Sequence, residues 1–438
     1  MAKKLWGGRF KKKIDKEFFE FQKSIQYDYK LAKYDIYHSM IHIIALKKAH
    51  IISANESERL YSALKGILEK IKNGTFKPSL YSEDIHTEIQ NGVEKKIGSL
   101  ALKLHTLRSR NDQIAFDERF YCKVEARNIE NFLSAVISSL ESLGNHYKKY
   151  SIIGYTHTQR AQRIYFKHYL QTFQFMLTRD KEKLSNFERS LVIYIGAGAL
   201  KGTSLNRNYY NKAINDFLKF HPVLSKEVKF SENPLDNVSD RDFIIELLTI
   251  LSTLQMHLSR LAEDFILYST KEFNFFSLPE EFCTGSSLMP HKKNPDFLEL
   301  IRGYTGRVYG NLIALLTTMK GLPLTYNRDM QLDKEPLFSS VDIIKEELKI
   351  LPKFIKKIRL NEDTIEKSLQ EGNLYATEIA EQYVRKGTPF KKAHDIVGKA
   401  IRQSEKKNPF FTAETLQEAA RSLLEKEKQR NRVVHLSK

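Results

Sequence analysis

Apolar residues recur at three- and four-residue intervals over most of this chain. The clearest run is Ile244, Leu247, Leu251, Leu254, Leu258, Leu261, Phe265 and Tyr268. Its alternating spacing marks one face of a helix about 37 Å long at ~1.5 Å per residue. Ser239-Asp240 is its expected cap. Ile129, Phe132, Val136, Leu140, Leu143 and Tyr147 make a second stripe, and Leu298, Ile301, Val308, Leu312 and Leu315 a third. Leu31, Tyr34, Ile36, Met40 and Ile43 predict an N-terminal helix. Ser82-Glu83-Asp84 supplies an N-cap and first-turn acids for another, ending at Gly98. From about Pro352 the helices shorten and carry more charge: Glu378 to Arg385, Lys391 to Gln403, and a last one capped by Thr412 and running to about Lys428. Asn73 to Pro78 is a loop by its Gly and Pro. The pattern predicts an all-α protein in three parts: residues 1–110, a long-helix region 111–351, and a small accessory domain 352–438. Helices too long for one small core predict a homo-oligomeric bundle, with stripes that also pack against other subunits.

Composition narrows this. The chain of 438 residues exceeds one typical core. It has only 19 Gly and 11 Pro, in keeping with long helices. No apolar run reaches the ~20 residues of a membrane span, and the N-terminus lacks the apolar core of a signal peptide. The two cysteines, Cys122 and Cys283, are far apart, which supports neither a disulfide framework nor a zinc site. A cytoplasmic protein is expected. The net charge of +18 is scattered in short runs such as Lys11 to Lys13 and Lys356-Lys357. It argues against specific nucleic-acid binding and for steering of an anionic substrate.

Three stretches carry chemistry. From Cys283 to Glu299, Gly285, Ser286 and Ser287 give a permissive backbone with two hydroxyls, followed by Lys292 and Lys293. Asn294-Pro295 reads as a helix start with Asn294 as N-cap, which puts Glu299 in the second turn. A base or nucleophile, a cation and a carboxylate on one helix end suit a site that handles anions. Arg108-Ser109-Arg110-Asn111-Asp112-Gln113 is a dense set of donors for carboxylates. In Gly154 to Gln162, His157 lies among hydroxyls and amides and is the best acid–base candidate near pH 7. His38 and His42 are four apart but have no evident third ligand, so no metal site is expected. Gly196-Ala197-Gly198 to Gly202 is spaced one residue too long for a dinucleotide fingerprint and reads as a tight loop between helices.

Gly285 to Pro295 resembles the signature of the fumarase/aspartase superfamily. Within it the chain is similar, over nearly its full length, to the argininosuccinate lyase family. Matching pieces include residues 5–10, Ser82 to His86, Arg108 to Gln113, Gly154 to His157 with Gln159 to Gln162, Gly196 to Leu200, Val238 to Phe243, Leu324 to Pro336 and Arg385 to Phe390. The resemblance implies a three-domain helical subunit whose long central helices build a tetrameric bundle, with each active site drawn from three chains. It implies a carbon–nitrogen lyase of arginine biosynthesis that reversibly eliminates argininosuccinate to fumarate and arginine without a cofactor. On the same ground Ser286, His157, Lys292 and Glu299 are the catalytic set. Ser286 is the expected base, with Lys292 and the loop dipoles stabilising its alkoxide. His157 is the expected acid, oriented by Glu299; the opposite allocation of base and acid stays open. Ser24, Asn111, Thr156, Tyr326, Gln331 and Lys334 would hold substrate, with Asn294, and with Arg110, Gln159, Asp84 and His86 behind them.

The chain departs from the family pattern at four places: Leu107 for Gly, Thr158 for Leu, Arg163 for Pro and His291 for Gln. The first and third put local backbone geometry in question. Rival readings are a sister lyase that releases fumarate from another substrate such as adenylosuccinate, a non-catalytic structural relative, and a basic nucleic-acid-binding protein. The Tyr326 to Lys334 segment disfavours the first, and the presence of all four catalytic residues disfavours the second.

Overall fold

The computed structural model describes residues 12–220 and 227–436. Residues 5–10, one of the matching pieces, lie outside them. The described chain is predominantly helical, with three two-stranded sheets. It forms two compact units. One comprises the described residues of Met1–Leu133, Arg179–Met256 and Gly303–Leu348, the other Ser134–Thr178, His257–Arg302 and those of Lys349–Lys438.

In the first unit the helices Ala32–Lys48, Ala54–Lys72 and Ile85–Ile97 pack together. Asp84 caps the last of these by accepting from the Thr87 N–H at 2.8 Å, and Gly98 ends it at φ 68°, as the pattern predicts. The helix Arg110–His146 begins in this unit, where Phe116 and Phe120 join Tyr34 and Tyr37 in an aromatic core. The Gly196–Gly202 loop is as tight as expected. Gly196, Gly198 and Gly202 all have positive φ, and a Cβ on Gly198 would lie 2.5 Å from the Gly202 carbonyl oxygen. Its backbone serves a carboxylate: the buried Asp112 accepts from the N–H groups of Gly196 and Ala197 at 3.0 and 3.1 Å. Burial nonetheless pushes Asp112 up to about 6, against those hydrogen bonds and the Arg108 charge.

The central stripe lies on the helix Asp242–Ser269, and Ile244 through Phe265 are all within 1% of full burial. That corrects one expectation. The stripe is buried within its own chain, so it is not the surface left for other subunits; Leu267, off the stripe, is the apolar side chain this helix leaves exposed. The helix Asp296–Met319 differs. It buries one seam, Leu298, Ile301, Val308 and Leu315, and leaves Leu300, Tyr304, Tyr309, Ile313 and Leu316 exposed.

Still in the first unit, Gln255 donates to Glu347 at 3.1 Å, and burial raises the Glu347 carboxyl from 4.5 to about 8. Between those values the folded chain keeps a proton that the unfolded chain loses. Stability from this group is therefore complete below pH 4.5 and falls as pH rises towards 8, by up to ~1.4 kcal/mol per pH unit. Glu347→Gln should raise the melting temperature at pH 8 and leave it unchanged at pH 4.5. Equal effects at the two pH values would remove this assignment.

In the second unit Ser151–Thr156 and Gln159–Tyr165 form an antiparallel hairpin. The hairpin was not foreseen from the sequence. The helices Ala376–Arg385, Phe390–Lys407 and Ala413–Leu436 enclose a core of their own, including Tyr383, Ile396, Val397, Phe411 and Leu416. Thr412 receives the Thr415 N–H at 3.4 Å, in the capping position expected, although the last helix runs further than Lys428.

Candidate active site

The loop that carries Ser286 is held at both ends. Phe282 before it and Phe297 after it both pack on Phe354, with ring centroids 5.6 and 5.5 Å away. Thr284 and Asn294 close the base as an antiparallel bridge, Asn294 N–H to Thr284 O at 2.8 Å. The Asn294 side chain donates to the Gly285 carbonyl, while Asp296 accepts from the Thr284 N–H and hydroxyl at 3.0 and 2.6 Å. The helix starts one residue later than expected. Pro295 O receives the Glu299 N–H, so Pro295 takes the cap position and Asn294 locks the loop instead.

Within this frame the Ser286 oxygen accepts from two backbone N–H groups, Leu288 at 3.2 Å and Met289 at 3.0 Å. Two donors on one hydroxyl oxygen favour its charged form. Lys292 is exposed and lowers the pKa of Asp296 behind the loop's hydrogen bonds to that carboxylate. Glu299 is exposed and lies 3.9 Å from Arg302, which binds Glu263 at 2.7 Å. His291 is exposed at the loop tip. His291→Gln should therefore leave turnover at pH 7.5 unchanged; a loss above tenfold would give the side chain a role it lacks here.

His157 and Thr158 form the two-residue turn of the hairpin, both with positive φ, 53° and 59°. Such turns favour Asn-Gly, and a β-branched residue there is strained by roughly 1–3 kcal/mol. The turn projects His157 with Thr156 and Gln159, a cross-strand pair, into the open. The imidazole has no hydrogen-bond partner among the described residues of its own chain. The hairpin is braced by Arg160 on Glu371 at 2.6 Å, and by Arg163 on Glu378 at 3.5 Å and over the Tyr375 ring. Arg163, one of the four expected departures from the family pattern, thus acts as a brace. Neither Glu299 nor Ser286 bonds to His157 within the chain.

The first unit gathers most of the other residues. Ser24 donates to Asp28 at 2.7 Å, and its N–H to the Glu83 carbonyl at 2.9 Å. Burial, then Asp84, pushes Asp28 up to about 6. Arg110 binds Asp84 at 2.9 Å and Thr87 at 2.9 Å, with Glu83 at 3.8 Å. Gln331 donates to the Gln22 carbonyl at 3.1 Å and to Tyr27 at 3.4 Å, beside Arg328 on Glu83 at 3.3 Å. Lys334 is 3% exposed, and its ammonium lies 2.8 Å from Asp333 and 2.7 Å from Glu118. Three ammonium donors meet two carboxylates, so one N–H remains. Tyr326 is half-buried, and burial raises its pKa. Asn111 is half-buried, and its backbone N–H binds the Ser109 hydroxyl at 3.2 Å. Glu83 and Arg328 are the residues that sequence reasoning missed. In the sequence Glu83 reads only as a first-turn acid, and Arg328 carries no signal of its own within Leu324 to Pro336.

Below these lies a buried polar network. His86 bonds Asp35 at 3.0 Å, and Gln113 donates to the same oxygen. Burial pulls His86 down, but Asp35 and Asp84 outweigh it and the pKa rises. Donor atoms of Asp35, His86 and Asp117 lie within 4.8 Å of one another, a spacing a metal ion could also use. His42 bonds Tyr210 and the Thr106 carbonyl, and His38 faces Arg108, so that pair is structural. Leu107, next to Arg108, stands at φ 59°, a conformation that glycine adopts freely and leucine rarely. Leu107→Gly should stabilise the protein by about 1 kcal/mol, since relief of strain exceeds the added chain entropy. A lowered denaturation midpoint would contradict this.

A lyase family model matches residues 8–310, and an argininosuccinate lyase C-terminal model matches residues 373–434. The argininosuccinate lyase of Caldanaerobacter subterraneus subsp. tengcongensis is 46% identical over 399 residues, covering 91% of this chain and 88% of its own. The chain belongs to the argininosuccinate lyase family. The Thermoanaerobacter sp. (strain X514) member is 45% identical with the same coverage. Among solved structures, an EDDS lyase variant with bound fumarate aligns at TM-score 0.74 and 23% identity, over 94% of this chain and 81% of that one, which shows a shared fold. Among the described residues, no helix is long and apolar enough to cross a membrane.

Proposed function

We propose that this family member eliminates argininosuccinate reversibly to fumarate and arginine, as a step of arginine biosynthesis in the cytoplasm. The observation that carries the mechanism is the Ser286 oxygen receiving two backbone N–H bonds. The proton to be removed lies next to a substrate carboxylate and is weakly acidic. A serine can take it only as an alkoxide, and two fixed dipoles plus Lys292 on the same loop favour that form. The electron pair left on carbon spreads into the carboxylate, then forms the double bond as the carbon–nitrogen bond breaks. His157 protonates the departing guanidino nitrogen, with Glu299 orienting it. Ser24, Asn111, Thr156, Tyr326, Gln331, Lys334, Asn294, Arg110 and Gln159 hold the substrate.

His157 and Ser286 do not bond to each other within one chain, which supports a site completed by neighbouring copies. The exposed apolar side chains of Asp296–Met319 support a homotetramer, and so do Gly303, Gly306 and Gly310, around which a Cβ would meet nothing. Three domains, 1–110, 111–351 and 352–438, remain the proposed division; the separate core of the last three helices supports its end. Purified protein should release fumarate, followed by ultraviolet absorbance, from argininosuccinate and not from adenylosuccinate. Release from adenylosuccinate alone would favour a sister lyase, and silence on both a non-catalytic relative.

A further inference from the structure

We propose that a cleft of the second unit, away from the catalytic loop's tip, binds a small phosphate-bearing anion. Lys293 and the run Lys356-Lys357 take no part in the elimination, yet the fold brings them to one cleft of about 960 Å³ together with Arg359. Four cations there face two carboxylates, Glu280 and Glu281. Lys357 is paired with Glu281, and Lys293 donates to the Leu278 carbonyl at 2.6 Å with Glu280 at 3.9 Å. Lys356 and Arg359 have no carboxylate partner among the described residues.

Part of this charge answers to helix ends. The helices Arg110–His146 and Lys334–Ile355 both finish at the cleft, and each C-terminus carries roughly half a negative charge. Together they offset about one of the two surplus positive charges, so an excess remains for a ligand. The donors suit phosphate better than carboxylate. Three of the four cations are lysines, which act as point charges rather than as the planar forks that pair with carboxylates, and the Ser142 side chain lines the cleft beside them. The wall of the cleft is tied to the fold: Arg359 sits on a strand paired with Ser277, and Leu360 donates its N–H to Tyr147.

The test is calorimetric titration of the intact protein with inorganic pyrophosphate at 0.15 M salt, with citrate as a parallel titrant. Pyrophosphate should bind with one site per chain, and the exposed double variant Lys356→Gln/Arg359→Gln should weaken it at least tenfold with its melting temperature and argininosuccinate turnover unchanged. Absence of binding, or equal affinity in the double variant, would overturn the site. Citrate binding as tightly as pyrophosphate would overturn the phosphate class.

Discussion

Replacing Ser286 with alanine should cut elimination of argininosuccinate by about 10²–10⁴-fold, the range expected for loss of an acid–base partner. The fold should not suffer. Ser286 is half-buried on an exposed loop, and the N–H groups of Leu288 and Met289 that lose their acceptor can turn to water. The loop ends also stay fixed by Phe282 and Phe297 on Phe354 and by the Thr284–Asn294 bridge. The expected signature is therefore a fall in kcat with KM, melting temperature and oligomer size close to those of the unaltered protein. Turnover within a few-fold of normal would sink the role of Ser286 and hand the base to His157. A fall in kcat accompanied by loss of the oligomer would instead make the serine a structural acceptor.

The long helices were legible because burial repeats along them every three to four residues. Ile244 to Tyr268 announces its helix through spacing alone, and Asp84 and Gly98 mark the ends of another through capping chemistry. The hairpin was not legible. Its turn residues are His157 and Thr158, neither of which signals a positive-φ turn, and its strands alternate weakly because one face is open. Leu107 is a milder case: the sequence shows a departure, but only the backbone shows that the position still needs a glycine conformation. The candidate site was legible as motifs and not as geometry. Ser286, Lys292 and Asn294 are neighbours in sequence and share one loop. Ser24, Arg110 and Gln331 are not, and they meet through Glu83 and Gln22, whose contacts no local pattern encodes. The central stripe taught the opposite lesson. Its regularity fixed the helix but said nothing about what covers it, and its own chain does so.

Lys334→Met should destabilise the protein by about 3–5 kcal/mol, the cost of leaving a buried carboxylate without its partner. Glu118, Asp333, Arg241 and Lys334 form a buried cluster of balanced charge: Lys334 binds both carboxylates, and Arg241 reaches Asp333 and, at 3.2 Å, Glu118. Methionine would leave two carboxylates to share one guanidinium. Glu118, already raised by burial and by Asp333, would then rise further and take up a proton. A carboxyl raised in the folded state loses its stabilising contribution as pH rises, so the deficit against the unaltered protein should be smaller at pH 5 than at pH 8. Denaturant midpoints at the two pH values check this, and a deficit below ~1 kcal/mol or one that grows towards acid would refute the account. Lys334 is also proposed to hold substrate, and the double variant Lys334→Met/Glu118→Gln separates the two roles. It removes one charge of each sign and keeps the Arg241–Asp333 pair, so stability should return. If the remaining N–H of Lys334 meets a substrate carboxylate, KM should stay raised when stability is restored; a normal KM would leave this lysine a purely structural cation.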